Sequence, residues 1–254
     1  MCEYIVGDAL EYLRNTRPES TDFIHLDDAW ARPCRAGGMG VNYNTHPFHE
    51  DDIGLVEDEP GVETSLTVAD FVQAAYDALE PGGILAMDTD DYLLPNLTTY
   101  LEENWGEYCY RTFTVTLLTQ DGEPDRSTPG MYGSTGGYEI VIAQKDASVI
   151  PEFHPVDADH PYGCPCERER RQWGWGTVKA LAPYRTLIDA YTTSDSRIIE
   201  PCAGTAPALI AAKRAYGDDC DATAVDIEDE AKKAYERRRE EQLSRQAGLG
   251  EWGE

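Results

Sequence analysis

Residues 197–213, RIIEPCAGTAPALIAAK, combine residue types suited to holding a small ligand by its polar groups. An apolar run ends in a carboxylate, Glu200. A turn of small residues follows, Cys202, Ala203, Gly204 and Thr205, and a helix opens around Pro207. Small side chains let a ligand approach the backbone, and the first turn of a helix presents unpaired N–H groups to a carboxylate or phosphate. Farther along, the apolar run 222–225 ends in Asp226. An acid at the tip of a second strand is placed to accept hydrogen bonds from ribose hydroxyls. The same pattern also describes an ordinary strand–turn–helix joint. A nucleotide-dependent oxidoreductase ranks last, because the turn lacks the Gly-x-Gly-x-x-Gly fingerprint.

Several segments, taken together, are more specific. Glu200-Pro201-Cys202-Ala203-Gly204-Thr205 resembles the Asp-Pro-Phe-Ala-Gly-Ser loop of amino-group DNA methyltransferases. Trp175-Gly176-Thr177-Val178-Lys179-Ala180 resembles that family's His-Pro-Thr-x-Lys-Pro element. Gly7-Asp8-Ala9-Leu10 and residues 22–30, DFIHLDDAW, resemble its Gly-Asp-x-Leu and Asp-Pro-Pro-Tyr strand ends. Residues 79–83 and 138–145 are similar to later landmarks, so the resemblance spans roughly 3–30, 67–145 and 174–240. The catalytic strand precedes the cofactor loop, as in the circularly permuted β group of these enzymes.

The resemblance implies transfer of a methyl group from S-adenosylmethionine to an exocyclic amino group in double-stranded DNA. That nitrogen is a poor nucleophile because its lone pair is delocalised into the ring. The site must accept hydrogen bonds from it, and the base must leave the helix to reach the site. By resemblance, Asp27 is the side-chain acceptor, Asp28 contributes its carbonyl, Ala29 fills a turn position and Trp30 stacks on the base. Adenine N6 is favoured over cytosine N4, since an acid at the head of this motif is commoner on adenine enzymes. For the cofactor, the resemblance assigns Asp8 to the adenine and Asp226 to the ribose, and Ala9 and Ile227 are expected to bind it beside them. Glu200, Pro201, Cys202, Ala203, Gly204 and Thr205 form the loop near the methionine end. Thr177 and Lys179 would meet the methionine carboxylate, although Thr177 could equally cap a helix and Lys179 be solvated.

Departures from the family pattern are plain. Asp28 and Ala29 replace two prolines, Glu200 replaces Asp, Ala206-Pro207 replace Gly-Thr, and Ala180 replaces Pro. A catalytically silent cofactor- or DNA-binding homologue is therefore an alternative. DNA contacts are expected from Arg32 and Arg35, after the catalytic turn, and from Arg168, Arg170 and Arg171, a basic cluster able to clamp phosphates or read guanine edges. Each could equally be a solvated arginine. His154, His160, Cys164 and Cys166 could supply zinc ligands, but their spacing fits no strong template. No metal is expected.

The elements that must position these residues follow from periodicity. Short apolar runs alternate with amphipathic stretches, the pattern of an α/β fold. Strands are expected at 3–7, 22–26, 83–88, 111–118, 137–143, 197–200 and 222–226, and helices at 9–14, 67–79, 93–104, 177–191, 206–216 and 228–245. Strands 111–118 and 137–143 lack an intervening helix and should run antiparallel. The expected fold is one Rossmann-like methyltransferase domain over 1–254. It has a seven-stranded mixed sheet with helices on both faces, circularly permuted. Residues 31–66 read as a loop insert and 146–173 as a candidate target-recognition segment. The acidic, Arg-containing C-terminus is expected to fray, and a homodimer is compatible with the sequence.

Composition bounds the rest. A chain of 254 residues with 41% hydrophobic content can bury a sizeable core. No apolar run approaches the roughly 20 residues of a membrane span, and no secretory signal is read at the start. A cytoplasmic location is expected, in a halophilic host or carried by its virus. Acidic residues number 48 against 21 basic, a net charge of −27 spread along the chain. Such a surface repels nucleic acid in ordinary salt, whereas in molar salt the Debye length falls to about 3 Å. The composition resembles that of proteins from salt-loving organisms. It argues against DNA rather than for it, so the motifs carry that reading. Seven cysteines, an odd and irregularly spaced set, make a disulfide framework unexpected.

Overall fold

The computed structural model describes residues 2–27, 68–89, 93–119, 121–125, 128–130, 133–149, 163–165, 173–175 and 178–250. Its elements in chain order are β1 (Cys2–Val6), α1 (Ala9–Asn15), β2 (Thr21–Asp27), α2 (Val68–Ala78), β3 (Leu79–Thr89), α3 (Leu94–Asn104) and β4 (Tyr110–Leu118). Then come β5 (Thr128–Gly130), β6 (Gly133–Thr135), β7 (Gly137–Gln144), β8 (Gly163–Pro165), α4 (Ala182–Tyr191), β9 (Arg197–Pro201), α5 (Pro207–Tyr216), β10 (Asp221–Asp226) and α6 (Asp229–Gly250).

Local chemistry explains most of these. Val68, Phe71, Val72 and Ala75 put one buried stripe on α2 at helical spacing. Asp8 caps α1 by accepting the backbone N–H of Glu11 at 2.9 Å. Proline occupies the first turn of α3, α4 and α5, where its missing N–H costs nothing. Along β2 the side chains alternate. Phe23 joins the apolar cluster that includes Leu187 of α4, Leu209 of α5 and Tyr235 of α6. Ile24 and Leu26 join the opposite cluster with Leu13 of α1, Phe71 of α2 and Leu97 of α3. The sheet therefore has helices on both faces, as expected for α/β.

Among the described residues, the main sheet has eight strands in the order β1-β10-β9-β2-β3-β7-β4-β8, and β5 and β6 form a separate pair. The expected seven strands are all present, and β8 is the correction. It is too short and too rich in Pro and Cys to read as a strand, yet it pairs parallel with the open edge of β4. Proline is tolerated there because an edge strand has a side with no ladder to make. Strands β1, β10, β9, β2 and β3 are mutually parallel. The expected antiparallel pairing of β4 with β7 holds.

Three boundaries differ from expectation. Helix α4 begins at Ala182 rather than near 177, so Lys179 sits on the non-helical approach to it. Pro81, Gly82 and Gly83 lie within β3, where a register shift between Thr21 and Phe23 of β2 absorbs them. The C-terminal helix, expected at 228–245, runs to Gly250. It is anchored by fully buried Arg238.

The sulfurs of Cys2 and Cys220 are joined in a disulfide, with their Cα atoms 5.7 Å apart. This corrects the expectation from cysteine spacing. The two lie at the starts of neighbouring strands β1 and β10, a proximity that a separation of 218 residues conceals. Cys109 and Cys202 are free thiols.

Gly137 opens β7 opposite Thr116 of β4, and a Cβ there would land on the carbonyl of Val115. Gly137→Ala must push the two strands apart. It is expected to cost about 1–3 kcal/mol, read as a lowered urea midpoint with an unchanged slope.

Candidate active site

The five parallel strands present their carboxyl ends along one edge of the sheet. Chain order reverses between β9 and β2, because β9 leads outward to β10 while β2 leads the other way to β3. A crevice at such a switch point is where open α/β sheets bind ligands. Asp27 ends β2, Asp226 ends β10, Asp8 follows β1, and the loop from Cys202 follows β9. The Cys202 thiol reports this convergence. Burial first, and then the carboxylates of Asp226, Asp27 and Asp8, push it well above the usual thiol range.

The loop is tightly wound. Cys202, Gly204 and Ala206 have φ of 52°, 51° and 48°, a left-handed conformation that costs a non-glycine residue roughly 1–2 kcal/mol. Its geometry is held by neighbours. Asp226 Oδ2 accepts the Gly204 N–H at 2.8 Å, the Tyr4 hydroxyl donates to the Gly204 carbonyl at 2.7 Å, and Ala203 N–H donates to Val225 O at 3.1 Å. A Cβ at Gly204 would press to 3.1 Å from the Trp175 indole nitrogen. Asp226 also accepts the Glu228 N–H at 2.9 Å. Burial raises its carboxyl above the ordinary value despite those bonds. Ile227, next in line, is 70% exposed.

Glu200 sits behind the loop rather than in front of it. Its Oε1 accepts the Ala208 N–H at 3.0 Å and its Oε2 the Leu209 N–H at 2.8 Å, and the residue is buried. The first turn of α5, expected from sequence to be open to a ligand, is thus capped from within the protein.

Strand register brings the remaining groups together. Ile24 is level with Ile199, so His25 lies level with Glu200; Asp27 is level with Asp88 of β3. All four point to the α4–α5 face, since side chains two apart share a face. His25 Nδ1 is 2.9 Å from Glu200 Oε1, and its Nε2 is 3.4 Å from Asp88 Oδ2. Burial favours a neutral ring, but Asp88 and then Glu200 outweigh it and push the imidazole up to about 10. Burial likewise opposes charge on Asp88, yet Lys179 and then His25 hold its carboxyl well below the usual range. The Tyr184 hydroxyl donates to Asp88 Oδ2 at 2.5 Å, and the Tyr138 hydroxyl lies 3.0 Å from that of Tyr184.

Lys179 is not solvated. Its Nζ lies 3.3 Å from Asp27 Oδ2 and 3.1 Å from Asp88 Oδ2, and 4.3 Å from the centre of the Tyr138 ring. Arg238 of α6 donates to Thr205 Oγ1 at 2.9 Å and to the Lys179 carbonyl, and stands over the Trp173 ring. It ties the loop after β9 to the segment before α4. Sequence reasoning missed His25, Asp88, Tyr138, Tyr184 and Arg238. A lone histidine inside the apolar run of β2 was one available signal. Arg238 at helical spacing from Ala231, Ala234 and Tyr235 was another.

Of the expected site residues, the structure gathers Asp8, Asp27, Lys179, Cys202, Ala203, Gly204, Thr205 and Asp226 around one edge, with Ala9 buried behind Asp8 and Pro201 leading into the loop. Asp28, Ala29, Trp30 and Thr177 lie outside the described residues, as do Arg32, Arg35, Arg168, Arg170 and Arg171. The insert 31–66 is likewise outside them, and 146–173 is described only in part. Cys164 is buried in β8, whereas His154, His160 and Cys166 are outside the described residues. Among the described residues no group of three or more His, Cys, Asp or Glu is arranged to hold a metal. None of the described helices is long and apolar enough to cross a membrane.

The sheet order and its switch-point loop define an α/β fold shared with solved DNA methyltransferases. M1.HpyAVI, solved as a complex with SAM, aligns with a TM-score of 0.59 at 14% identity, over 94% of this chain and 100% of that one. The cytosine-N4-specific PvuII DNA methyltransferase aligns with a TM-score of 0.62 at 10% identity, over 92% and 86%. TTHA0409 of Thermus thermophilus, complexed with S-adenosyl-L-methionine, aligns with a TM-score of 0.51 at 14% identity, over 94% and 93%. No family model and no curated protein matches this chain.

Proposed function

We propose that this chain is an S-adenosylmethionine-dependent DNA methyltransferase acting on an exocyclic amino group, adenine N6 before cytosine N4. The observation that carries the reading is the convergence of Asp27 with the Cys202–Thr205 loop at the switch point. Two of the solved structures sharing this fold were determined with that cofactor. Chain order, with the Asp27 strand before the loop strand, is the order of the circularly permuted group.

The residues present fit the cofactor. Its sulfonium and ammonium are cationic, and Asp8 and Asp226 put carboxylates at the rim of the site. Exposed Ile227 offers an apolar surface for an adenine ring beside Asp226, which would accept ribose hydroxyls. Glu200 would shape the Cys202–Thr205 loop without touching the ligand. When bound, S-adenosylmethionine supplies a methyl group activated by its sulfonium.

The chain's own work is then to orient a flipped base and support charge on its nitrogen. Asp27 would accept a hydrogen bond from the amino group, letting the nitrogen rehybridise toward the methyl. As the N–C bond formed and the methyl's bond to sulfur broke, with its electron pair leaving on the thioether, the nitrogen would become cationic, and the proton it sheds would pass to Asp27 or water. Proximity of a preactivated methyl supplies much of the remaining acceleration. Double-stranded DNA would approach through Arg32, Arg35 and the 168–171 cluster, against a net charge of −27. Transfer should therefore be stronger in high salt, where that repulsion is screened.

The test is incubation with methyl-labelled S-adenosylmethionine and unmethylated DNA at low and high salt, followed by nucleoside chromatography. Label on N6-methyladenine is the expected result, and label on N4-methylcytosine reassigns the base. Cofactor binding with no transfer overturns the enzyme reading and leaves the silent homologue that Asp28 and Ala29 suggest.

A further inference from the structure

The cation beside Asp27 is shared. Register places Asp88 directly across from Asp27 on the neighbouring strand, both facing α4. Lys179, arriving from the segment before α4, sets its Nζ between them at 3.3 Å and 3.1 Å. The Asp88 side chain is fully buried and the Lys179 side chain is 10% exposed. Asp88 is in turn fixed by the Tyr184 hydroxyl and by His25. His25 and Tyr184, which hold Asp88, are buried, whereas Asp27, at the strand tip, is the member nearest the crevice.

Those distances define a division of labour. A lysine ammonium has three donors and little directional preference, so on its own it would follow whichever carboxylate moves. With Asp88 anchored, the ammonium becomes a fixed point. The orientation of Asp27 is then set from below, through one of its oxygens. Resting on the reading of Asp27 as acceptor, we propose that Asp88 and Lys179 are positioning residues for methyl transfer. In this role they fix the Asp27 carboxylate toward the target amino group. Lys179 therefore acts on Asp27 and not on the methionine carboxylate of the cofactor. Neither residue touches the base.

The test uses the full chain with labelled S-adenosylmethionine and DNA, alongside calorimetric measurement of cofactor binding. Asp88→Asn keeps the shape and an acceptor for Tyr184 but removes the charge that anchors Lys179. Its kcat should fall roughly 10- to 100-fold, the scale of a misplacement near 1 Å, with the cofactor Kd within about threefold of wild type. Lys179→Met should show the same split. Adding Asp88→Asn to Lys179→Met should cost little more, because residues acting through one another are not additive. Lys179→Arg should recover part of kcat. If Asp88→Asn fails to fold, Lys179→Met and Lys179→Arg carry the test alone. Folded variants with unchanged kcat, or a Lys179→Met variant that loses cofactor affinity instead of kcat, would overturn the proposal while wild-type transfer kept the enzyme reading intact. A wild-type chain that transfers no label overturns both.

Discussion

Asp27→Ala should lower single-turnover methyl transfer by roughly 10²- to 10⁴-fold, the range for losing a side chain that handles a proton in the transition state. Cofactor binding should survive. Asp27 closes β2 at the sheet edge, and the loop that would hold the cofactor is built by other groups: Asp226, Tyr4 and Val225 hold its backbone. The fold should survive too. Lys179 keeps Asp88 at 3.1 Å when Asp27 is gone, so no buried charge is left alone. Asp27→Asn retains one acceptor oxygen but sheds the charge, and an intermediate loss is expected. That ordering, aspartate above asparagine above alanine, separates a hydrogen-bond acceptor from a purely structural acid. Single-turnover kinetics with labelled cofactor, read beside calorimetric cofactor titration, give the comparison. An alanine variant working at the wild-type rate would remove Asp27 from the chemistry.

The strand tips were legible in the sequence because each ends an apolar run with an acid or a small residue. A period-2 apolar pattern leaves little freedom about where such a run lies. Which tips would be neighbours was not legible from periodicity, since order in a sheet is set by long-range pairing; resemblance to a known family carried that step. Lys179 shows where local reading stops. From its sequence neighbours it is a charge near a helix start. Only the β2–β3 register puts two carboxylates on either side of it. Glu200 reads from sequence as facing a ligand, because a helix N-terminus after a strand attracts anions. The sequence contains its own anion for that purpose, the glutamate carboxylate itself, with one methylene more than aspartate to reach α5. Strand β8 was hidden for a different reason. Three residues carry no period, and pairing with β4 alone defines them.

His25→Leu should destabilise the fold more than any other single change considered. Breaking a buried ion pair by removing one partner costs about 3–5 kcal/mol, and here one ring serves two carboxylates, Glu200 at 2.9 Å and Asp88 at 3.4 Å. For a chain of this size each kcal/mol moves Tm by roughly 2–4 °C, so the variant should melt on the order of 10 °C lower near pH 6. The pH dependence separates charge from packing. The imidazole is raised from its ordinary 6.5 to about 10 in the fold. Its contribution is therefore complete below pH 6.5 and is lost as pH rises through about 10. Asp88 is shifted down, so its contribution is present above its ordinary 3.8 and lost as pH falls further. The wild-type protein should thus lose stability between pH 6.5 and 10, and the leucine variant should lack that part of the slope. Glu200 from β9, Asp88 from β3 and the edge of the Tyr184 ring from α4 all face His25. The ionised ring therefore ties the loop strand, the Asp27 strand and β3 together below the switch point. Denaturant unfolding of both proteins at pH 6, 8 and 10 gives the difference. Parallel curves would mean that His25 is held neutral and that its role is packing alone.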